Sequence, residues 1–434
     1  MRSGQLVQRS VPALYDNIFF VFGGVASVWL AWLVFTESVR AGPWMIAVFL
    51  LFWLVLAYIA LPRLTRILTS IYLPDYFIGR ARTSDGLMGD PINVAVLGSG
   101  EQLTEAMTAA GWIRADPITP ASSWRMVTST VLRRSYDQAP VSPLLLFGRQ
   151  QDVAWQQEML GNPAKRHHVR FWRCPDDWLL PGGHRTDWLA AGTFDRSVGF
   201  SLFTLQITHK IEANTDIERD YIVESVLNAE VGAEVQLILN FSTGYHSRNG
   251  GGDLIETDGH LPVIDLREVR LEHKPSAAAA PIGPEAAVGA RPIQTSIGAA
   301  LVVARALAGI LFLVVTFDGI QQLIHDAVVR GDATISGGSV DQAHLAVWLV
   351  AIALAIPVLF YLFLAVLAFR GSNRARVAAM MVSSVLVILT AVDFFNGGSP
   401  ITVTTNLPGL ALDILVLLAL SSTKAREWAR AARD

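Results

Sequence analysis

Six stretches of this chain stay apolar for about the roughly 20 residues that a helix needs to cross a bilayer core, and a soluble fold has nowhere to bury so many. They fall at about 18–36, 44–61, 300–323, 345–369, 377–396 and 403–422. Composition agrees: the chain is 52% hydrophobic and only 16% charged, with a mean hydropathy of +0.40, above what filling a globular core requires. The sequence therefore reads as an integral membrane protein. Its first apolar run is too long for a signal-peptide core and no small-residue cleavage site follows it, so it is expected to remain as an anchor.

Basic residues stay on the cytoplasmic side of a span. Arg2 and Arg9 precede the first run; Arg63, Arg66, Arg80 and Arg82 follow the second. Arg370, Arg374 and Arg376 separate the fourth from the fifth, and Lys424, Arg426, Arg430 and Arg433 follow the sixth. All four groups fall on one side, which predicts an inner-membrane protein with both termini and the large region 62–299 in the cytoplasm. Arg305, near the inner end of the third run, is expected to extend its side chain to the interface.

The predicted organisation is two transmembrane helices in 1–61, a cytoplasmic α+β domain in 62–274, an Ala/Pro/Gly-rich linker in 275–299, a four-helix transmembrane module in 300–423 and a basic tail in 424–434. The insert between the second and third runs is the size of a domain of its own. It opens with an amphipathic stretch carrying Tyr72, Tyr76 and Phe77 among arginines, as a segment at the headgroups would. Within it, "INVAVLG" reads as a buried strand, and Ser99 with Gln102 forms a capping box ahead of a helix. "SSWRMVTSTVLRRS" reads as another helix. Strands are expected at "SPLLLFG", "QDVAWQQE", "HHVRFWRC", "WLAAGTFD", "LFTLQITHKI" and "EVQLILNF", with a helix at "TDIERDYIVESVLNAE" capped by Thr215 and Glu218. Consecutive strands favour an antiparallel or mixed sheet.

Several side chains could carry chemistry. Alternation along the strand "HHVRFWRC" puts His168, Arg170 and Trp172 on one face and His167 on the other, so the two histidines cannot form one ligand pair. His209 falls in phase with Ile207 and Ile211, a polar side chain on an apolar face. Asp195 ends a strand before a glycine-containing turn, and Asp216, Glu218, Arg219 and Asp220 crowd a helix start. One reading is purely structural: helix-start carboxylates, a turn aspartate and a solvated basic strand. A second is an anion site in which Arg170, Arg219 and His168 grip phosphate while Asp195 or His209 handles a proton. A metal site would need His168 or His209 joined by Asp195 or Glu218, and no H-x-x-x-H or H-E-x-x-H spacing supports it, so no metal or cofactor is expected.

Other features point elsewhere only weakly. "LGSGEQ" lacks the P-loop lysine, "NTDIERD" lacks the glycine and closing glutamate of a calcium loop, and "STGYHSRNGGGD" is either a lid or a plain connection. The net charge of −3 argues against nucleic acid as a partner, and the single Cys174 excludes an internal disulfide. Asp413 lies mid-span in the last apolar run, where a carboxylate must be protonated or partnered; a transporter would use such a residue. Pro357 is expected to kink the fourth span.

The blocks "GDPINVAVLG", "AAGWIRADPIT", "APVSPLLLFGRQQDVAWQQE", "RHHVRFWRC", "AAGTFDRSVGFSLFTLQITHKI" and "DIERDYIV", in this order from Gly89 to Glu224, resemble the LssY C-terminal domain family of bacterial membrane proteins. The likeness continues through "NFSTGYHSRNGGGD". The family brings no established reaction. Its frequent fusion to lipid-phosphatase and related membrane domains implies a setting of membrane-lipid or lipid-phosphate handling, with a membrane lipid as the expected partner. This chain departs from those relatives: it has no "PSGH" and no downstream Arg/His pair on a span. Matching the blocks picks out His167, His168, Arg170, Trp172, Asp195, His209, Asp216, Glu218, Arg219 and Asp220. The expected activity is binding of a phosphorylated lipid or similar anion at the inner leaflet, with hydrolysis as an extension. The alternatives are a domain that docks a protein partner at the cytoplasmic face, and a transporter component built on Asp413.

Overall fold

The computed structural model describes residues 11–72, 77–116, 122, 138, 140–159, 162–202, 204–242, 245–271, 291–329 and 337–431. The chain divides into two compact units: Leu61–Val288, and a second made of Met1–Ala60 with Gly289–Asp434. The helix expected at 122–135, apart from Ser122, lies outside the described residues, as do Tyr76 and most of the 275–299 linker.

The chain starts with helix α1 (Val11–Arg40) and then α2 (Met45–Val55), which runs through a π-helical turn at Leu56–Ala60 into α3 (Leu61–Tyr72). The middle unit follows, with strands β1 (Arg80–Thr83), β2 (Met88–Pro91) and β3 (Val94–Leu97), helix α4 (Gly100–Ala109), and strands β4 (Ile113–Arg114), β5 (Leu144–Leu146) and β6 (Arg149–Gln150). Next come β7 (Val153–Met159), β8 (Asn162–Arg173), β9 (Trp188–Phe200) and β10 (Ile207–Ile211), then helix α5 (Thr215–Asn228). The unit closes with β11 (Glu234–Ile238), β12 (Tyr245–Arg248), β13 (Leu254–Thr257) and β14 (Leu261–Asp265).

The main sheet has the order β11-β14-β3-β9-β8-β7-β4, and β10 pairs with the outer half of β9 beyond the reach of β3. All its pairs are antiparallel except β14 with β3. Period-two alternation divides the side chains between two cores. Val94, Val96, Val169, Phe171 and Ala190 pack on one face with Leu103 and Met107 of α4 and Ile222 and Val226 of α5. Ala95, Trp172, Leu189 and Ala191 pack on the other with Ala81, Leu144 and Leu146 of a small sheet ordered β2-β1-β5-β6. The unit is thus a mixed α and β, sheet-rich domain with three layers: helices, main sheet and small sheet.

Helix α5 sits close to β9 because Gly192 has no side chain: a Cβ there would lie 2.2 Å from Ile222 Cδ1. Its cap differs from the one expected at Thr215. Asn214 is the N-cap and accepts from the Asp216 amide, while Glu218 turns inward to His167. The sequence around 242–253, expected to be a lid or connection, forms the β12–β13 hairpin, and the β14 segment went unpredicted.

The rest of the chain forms α6 (Ile293–Val329), α7 (Gly337–Phe369), α8 (Asn373–Phe395), α9 (Leu407–Leu420) and α10 (Thr423–Ala431). Among the described residues five helices are long and apolar enough to cross a membrane: Leu14–Arg40, Gly42–Tyr72, Ile293–Gln322, Leu345–Phe369 and Asn373–Phe395. The sixth expected span, 403–422, is not among these five. Helix α9 has 14 residues, about 21 Å at 1.5 Å per residue, and bends by 59° into α10. Pro408 at its start and Ser421–Ser422 at its end confine it, so a sixth crossing exists only if the bent pair counts as one. Pro357 lies inside α7, which is continuous across it.

Leu410, Ile414, Leu417 and Leu420 of α9 are buried among its neighbours. At Gly298 of α6 an added Cβ would come within 2.4 Å of Leu420 Cδ2, so the two helices meet there at backbone distance. Asp413 is buried and partnered: it accepts from Arg305 Nε at 2.8 Å and from Ser383 Oγ at 3.2 Å. Arg305 therefore turns to Asp413 instead of extending to an interface, because an ion pair satisfies both charges where water is absent. A second buried pair, unseen in the sequence, joins Asp16 of α1 to Arg376 of α8, with Arg430 of α10 at 2.7 Å on the other carboxylate oxygen.

Candidate functional site

Between the main sheet and the small sheet lies a cavity of about 140 Å³, bordered by Asp90, Arg166, His168, Arg170, Thr193, Asp195 and His209 and closed by the turn Asn249–Asp253. The antiparallel register builds it. Arg166 faces Asp195 and His168 faces Thr193 across β8 and β9, and the i, i+2 spacing keeps Arg166, His168 and Arg170 on one face. Trp172, next in that row, is fully buried in the core beyond the cavity and does not line it.

A β-bulge sets the position of Asp195. Lys210 pairs with Ser197 but Ile211 pairs with Asp195, so Arg196 is the extra residue. The bulge returns Asp195 to the face that carries His209 on β10. Asp195 is therefore mid-strand, not at a strand end before a turn.

The Oδ2 atom of Asp195 is the hub. Arg166 Nε donates to it at 3.0 Å, and the Nδ1 atoms of His168 and His209 lie 3.6 and 3.4 Å away without making a hydrogen bond. Arg166 Nη1 donates to Gln156 Oε1 at 3.0 Å. Arg170 donates through Nη1 to Asp90 Oδ2 at 2.9 Å and through Nε to the Ser142 carbonyl at 3.0 Å. On both arginines Nη2 has no protein partner among the described residues.

The Thr193 hydroxyl lies 2.8 Å from His168 Nε2 and 3.5 Å from Asp90 Oδ2. Its single proton can serve only one of them. Asp90, Thr193 and His168 thus form a short hydrogen-bonded row in which the hydroxyl proton goes to one neighbour at a time.

Burial governs the charges. Desolvation drives His168 well below the usual imidazole range, and the Arg170 and Arg166 charges reinforce it against the opposing pull of Asp195. His209 is lowered for the same reasons. Burial also raises Asp90, with Asp195 adding to the effect and Arg170 opposing it. For Asp195, burial acts upward but is outweighed by His168, His209 and Arg166, which hold the carboxyl below its ordinary value. At neutral pH the cavity therefore contains an ionised Asp195 and two neutral imidazoles, beside the hydrogen-bonded pair of Asp90 and Arg170. It can receive an anion's oxygens on the two Nη2 groups and can take up a proton on either imidazole.

The remaining sequence candidates stand elsewhere. His167, on the opposite face of β8, bonds through Nδ1 to Glu218 Oε2 at 2.7 Å and stacks on Tyr221 with ring centroids 4.1 Å apart. Burial raises Glu218 above its ordinary value. Arg219, expected to contact an anion, is already held by carboxylates: its Nη1 meets Asp216 at 3.1 Å and Asp258 at 2.6 Å, and its Nε meets Asp220 at 2.7 Å. Asp216 also accepts from the Thr257 hydroxyl and the Asp258 amide. These four residues fasten the start of α5 to the end of β13 and leave the cavity to others.

Arg166, Asp90 and Thr193 were not among the sequence candidates. Arg166 could have been found, since it is in phase with His168 and Arg170; Asp90 carries no local signal, because it arrives from the small sheet. Among the described residues no group of three or more His, Cys, Asp or Glu side chains is placed to hold a metal ion.

Comparison with known proteins adds one finding. The family model described as LssY C-terminus matches residues 70–261, a range that contains every residue of the cavity. No curated protein and no solved structure matches the chain.

Proposed function

Because residues 70–261 make this chain a member of the LssY C-terminal domain family, we propose that its middle domain binds the phosphate of a phosphorylated lipid or a similar anion in the cavity between the two sheets. One observation carries the reading: two buried arginines reach the same small cavity, each fixed by a carboxylate and each with an unused Nη2. A guanidinium offers its donors in a plane that matches two phosphate oxygens, and carboxylate partners hold that plane in place before the ligand arrives. A volume of about 140 Å³ is several times the roughly 10–15 Å³ that a single water requires, room for a tetrahedral oxyanion. The basic flanks of the spans favour the cytoplasmic side of an inner membrane for the domain.

The test is native mass spectrometry of the purified full chain, with phosphatidic acid and inorganic phosphate offered in separate arms. Arg166→Lys and Arg170→Lys keep the charge opposite Asp195 and Asp90 but lose the fork, and retention is expected to fall by roughly tenfold or more in each, about the loss of one charge-assisted hydrogen bond. Retention in the lipid arm alone assigns a lipid ligand; retention in both assigns phosphate itself. Equal retention by wild type and both variants overturns the proposal and favours a domain that docks a protein partner.

A hydrolytic extension is favoured by His209. Its side chain is partly exposed at the cavity with the buried Asp195 carboxylate 3.4 Å from Nδ1, a counter-charge beside the imidazole for the proton it takes up. Phosphate release from phosphatidic acid vesicles, abolished in His209→Gln while lipid retention persists, is the expected signature. Absence of release from the wild type reduces the domain to a binding module.

A further inference from the structure

The β9–β10 hairpin carries Asp195 and His209 at its base and an uncovered apolar end. Phe200 pairs with Ile207 and Val198 with His209, so these side chains share the face that the Arg196 bulge gives to Asp195. Val198 is 41% exposed, Phe200 46%, Ile207 60% and Leu202, in the connection, 85%. Along one hairpin face the chemistry changes from carboxylate and imidazole to bare hydrocarbon within two residues, about 7 Å at roughly 3.4 Å per residue. That distance falls within the headgroup layer of one leaflet, about 5–7.5 Å when a core of roughly 30 Å is taken from a total of 40–45 Å.

The hairpin is also tied to the part of this unit that follows a membrane span. Helix α3 ends the candidate span Gly42–Tyr72, whose 31 residues amount to about 46 Å and overshoot a core of roughly 30 Å. Its last turns expose Leu68, Ile71 and Tyr72, as a helix end emerging at the headgroups would. Thr69 Oγ1 of α3 donates to the Asp85 carbonyl at 3.2 Å in the β1–β2 turn. In that turn Leu87 lies so close to Gly250 that a Cβ on the glycine would approach it to 2.9 Å. Ser201 Oγ, at the hairpin end, donates to the Gly251 carbonyl at 2.7 Å. Two consecutive turns thus link the end of α3 to the end of the hairpin.

We infer that the β9–β10 hairpin is seated in the bilayer: Phe200, Leu202 and Ile207 enter the leaflet beside the exit of α3, and the cavity at the hairpin base lies at the level of the lipid phosphates. The inference deepens the phosphate reading by naming the lipid surface as the source of the ligand, and it rests on that reading only for what occupies the cavity. An apolar end of this kind, beside a helix that leaves the membrane, is satisfied by hydrocarbon without any protein partner.

The experiment uses the full chain in lipid nanodiscs with a nitroxide on Leu202→Cys and, as control, on the exposed α4 position Glu101→Cys. Cys174, the only native cysteine, is replaced by serine or left in place, since it is buried. Oxygen concentrates in hydrocarbon and a neutral nickel chelate in water. The ratio of oxygen to chelate accessibility is expected above unity at Leu202 and below it at Glu101. A ratio below unity at Leu202 overturns the inference, as does a label immobilised and shielded from both reagents, which would mark a protein contact. If Leu202 reads as aqueous while phosphatidic acid is still retained, the membrane seat falls and the phosphate reading stands. Insertion of Leu202 without retention of any phosphate ligand gives the opposite division.

Discussion

At the scale of single residues, Asp195 decides whether the cavity holds together. It is 2% exposed and faces Arg166, His168 and His209 through one oxygen. Asp195→Asn leaves Arg166 buried without its counter-charge, so a loss of about 3–5 kcal/mol is expected in thermal or denaturant unfolding. The histidines set a pH dependence of definite sign. Their folded-state pKa values are lowered, so below about 6.5 the unfolded chain binds more protons than the folded one and stability falls as pH falls. Each contributes up to about 1.4 kcal/mol per pH unit in that range, and unfolding followed from pH 8 to 5 should lose part of its slope in His168→Gln. Anion binding should run the other way. A dianion in the cavity favours the charged imidazoles, so binding takes up protons and affinity rises on acidification. Sulfate is the suitable probe, since it does not itself titrate there; affinity independent of pH would place the anion away from the histidines. Sequence alternation revealed His168 and Arg170 because neighbouring strand residues obey a fixed period. Asp90 escaped because nothing local marks a side chain that meets its partner 80 positions away.

Among the elements, β8 was legible and β9 only in part. The period of two in "HHVRFWR" divides the side chains between the faces as they stand in the sheet. The bulge at Arg196 shifts that period by one residue, and no composition signal distinguishes it, so Asp195 read as a turn residue. Helix α5 shows a related failure: the Thr215/Glu218 pattern fits a capping box, but the buried bond to His167 wins Glu218. Packing of α5 on β9 depends on Gly192, where Ala would place Cβ 2.2 Å from Ile222 Cδ1. Gly192→Ala is expected to cost about 1–3 kcal/mol through overpacking, checked by the unfolding midpoint. An unchanged midpoint would mean that α5 can slide away from the sheet without loss.

For the molecule as a whole, the apolar runs were the plainest signal, because length and hydropathy alone determine whether a helix can cross a bilayer. The exception was the last run, where Pro408 and the serines after Leu420 shorten the helix despite its composition. Of the ion pairs between distant helices, Asp413 showed its need of a partner by its place mid-span, whereas the pair of Asp16 and Arg376 left no such sign. Asp16 meets Arg376 across 360 positions, and Asp16→Ala should lower the melting temperature in detergent more than Arg430→Ala, since Arg376 is 1% exposed and an unpaired buried charge is expensive. The central claim concerns the cavity and its two arginines. Its most direct test is a ³¹P NMR titration of the purified full chain with a short-chain soluble phosphatidate, comparing wild type with the Arg166→Lys/Arg170→Lys double variant. The account predicts saturable broadening of the phosphate resonance by the wild type and at least roughly tenfold weaker binding by the variant, the equivalent of about 1.4 kcal/mol. Identical broadening by the two proteins would contradict it.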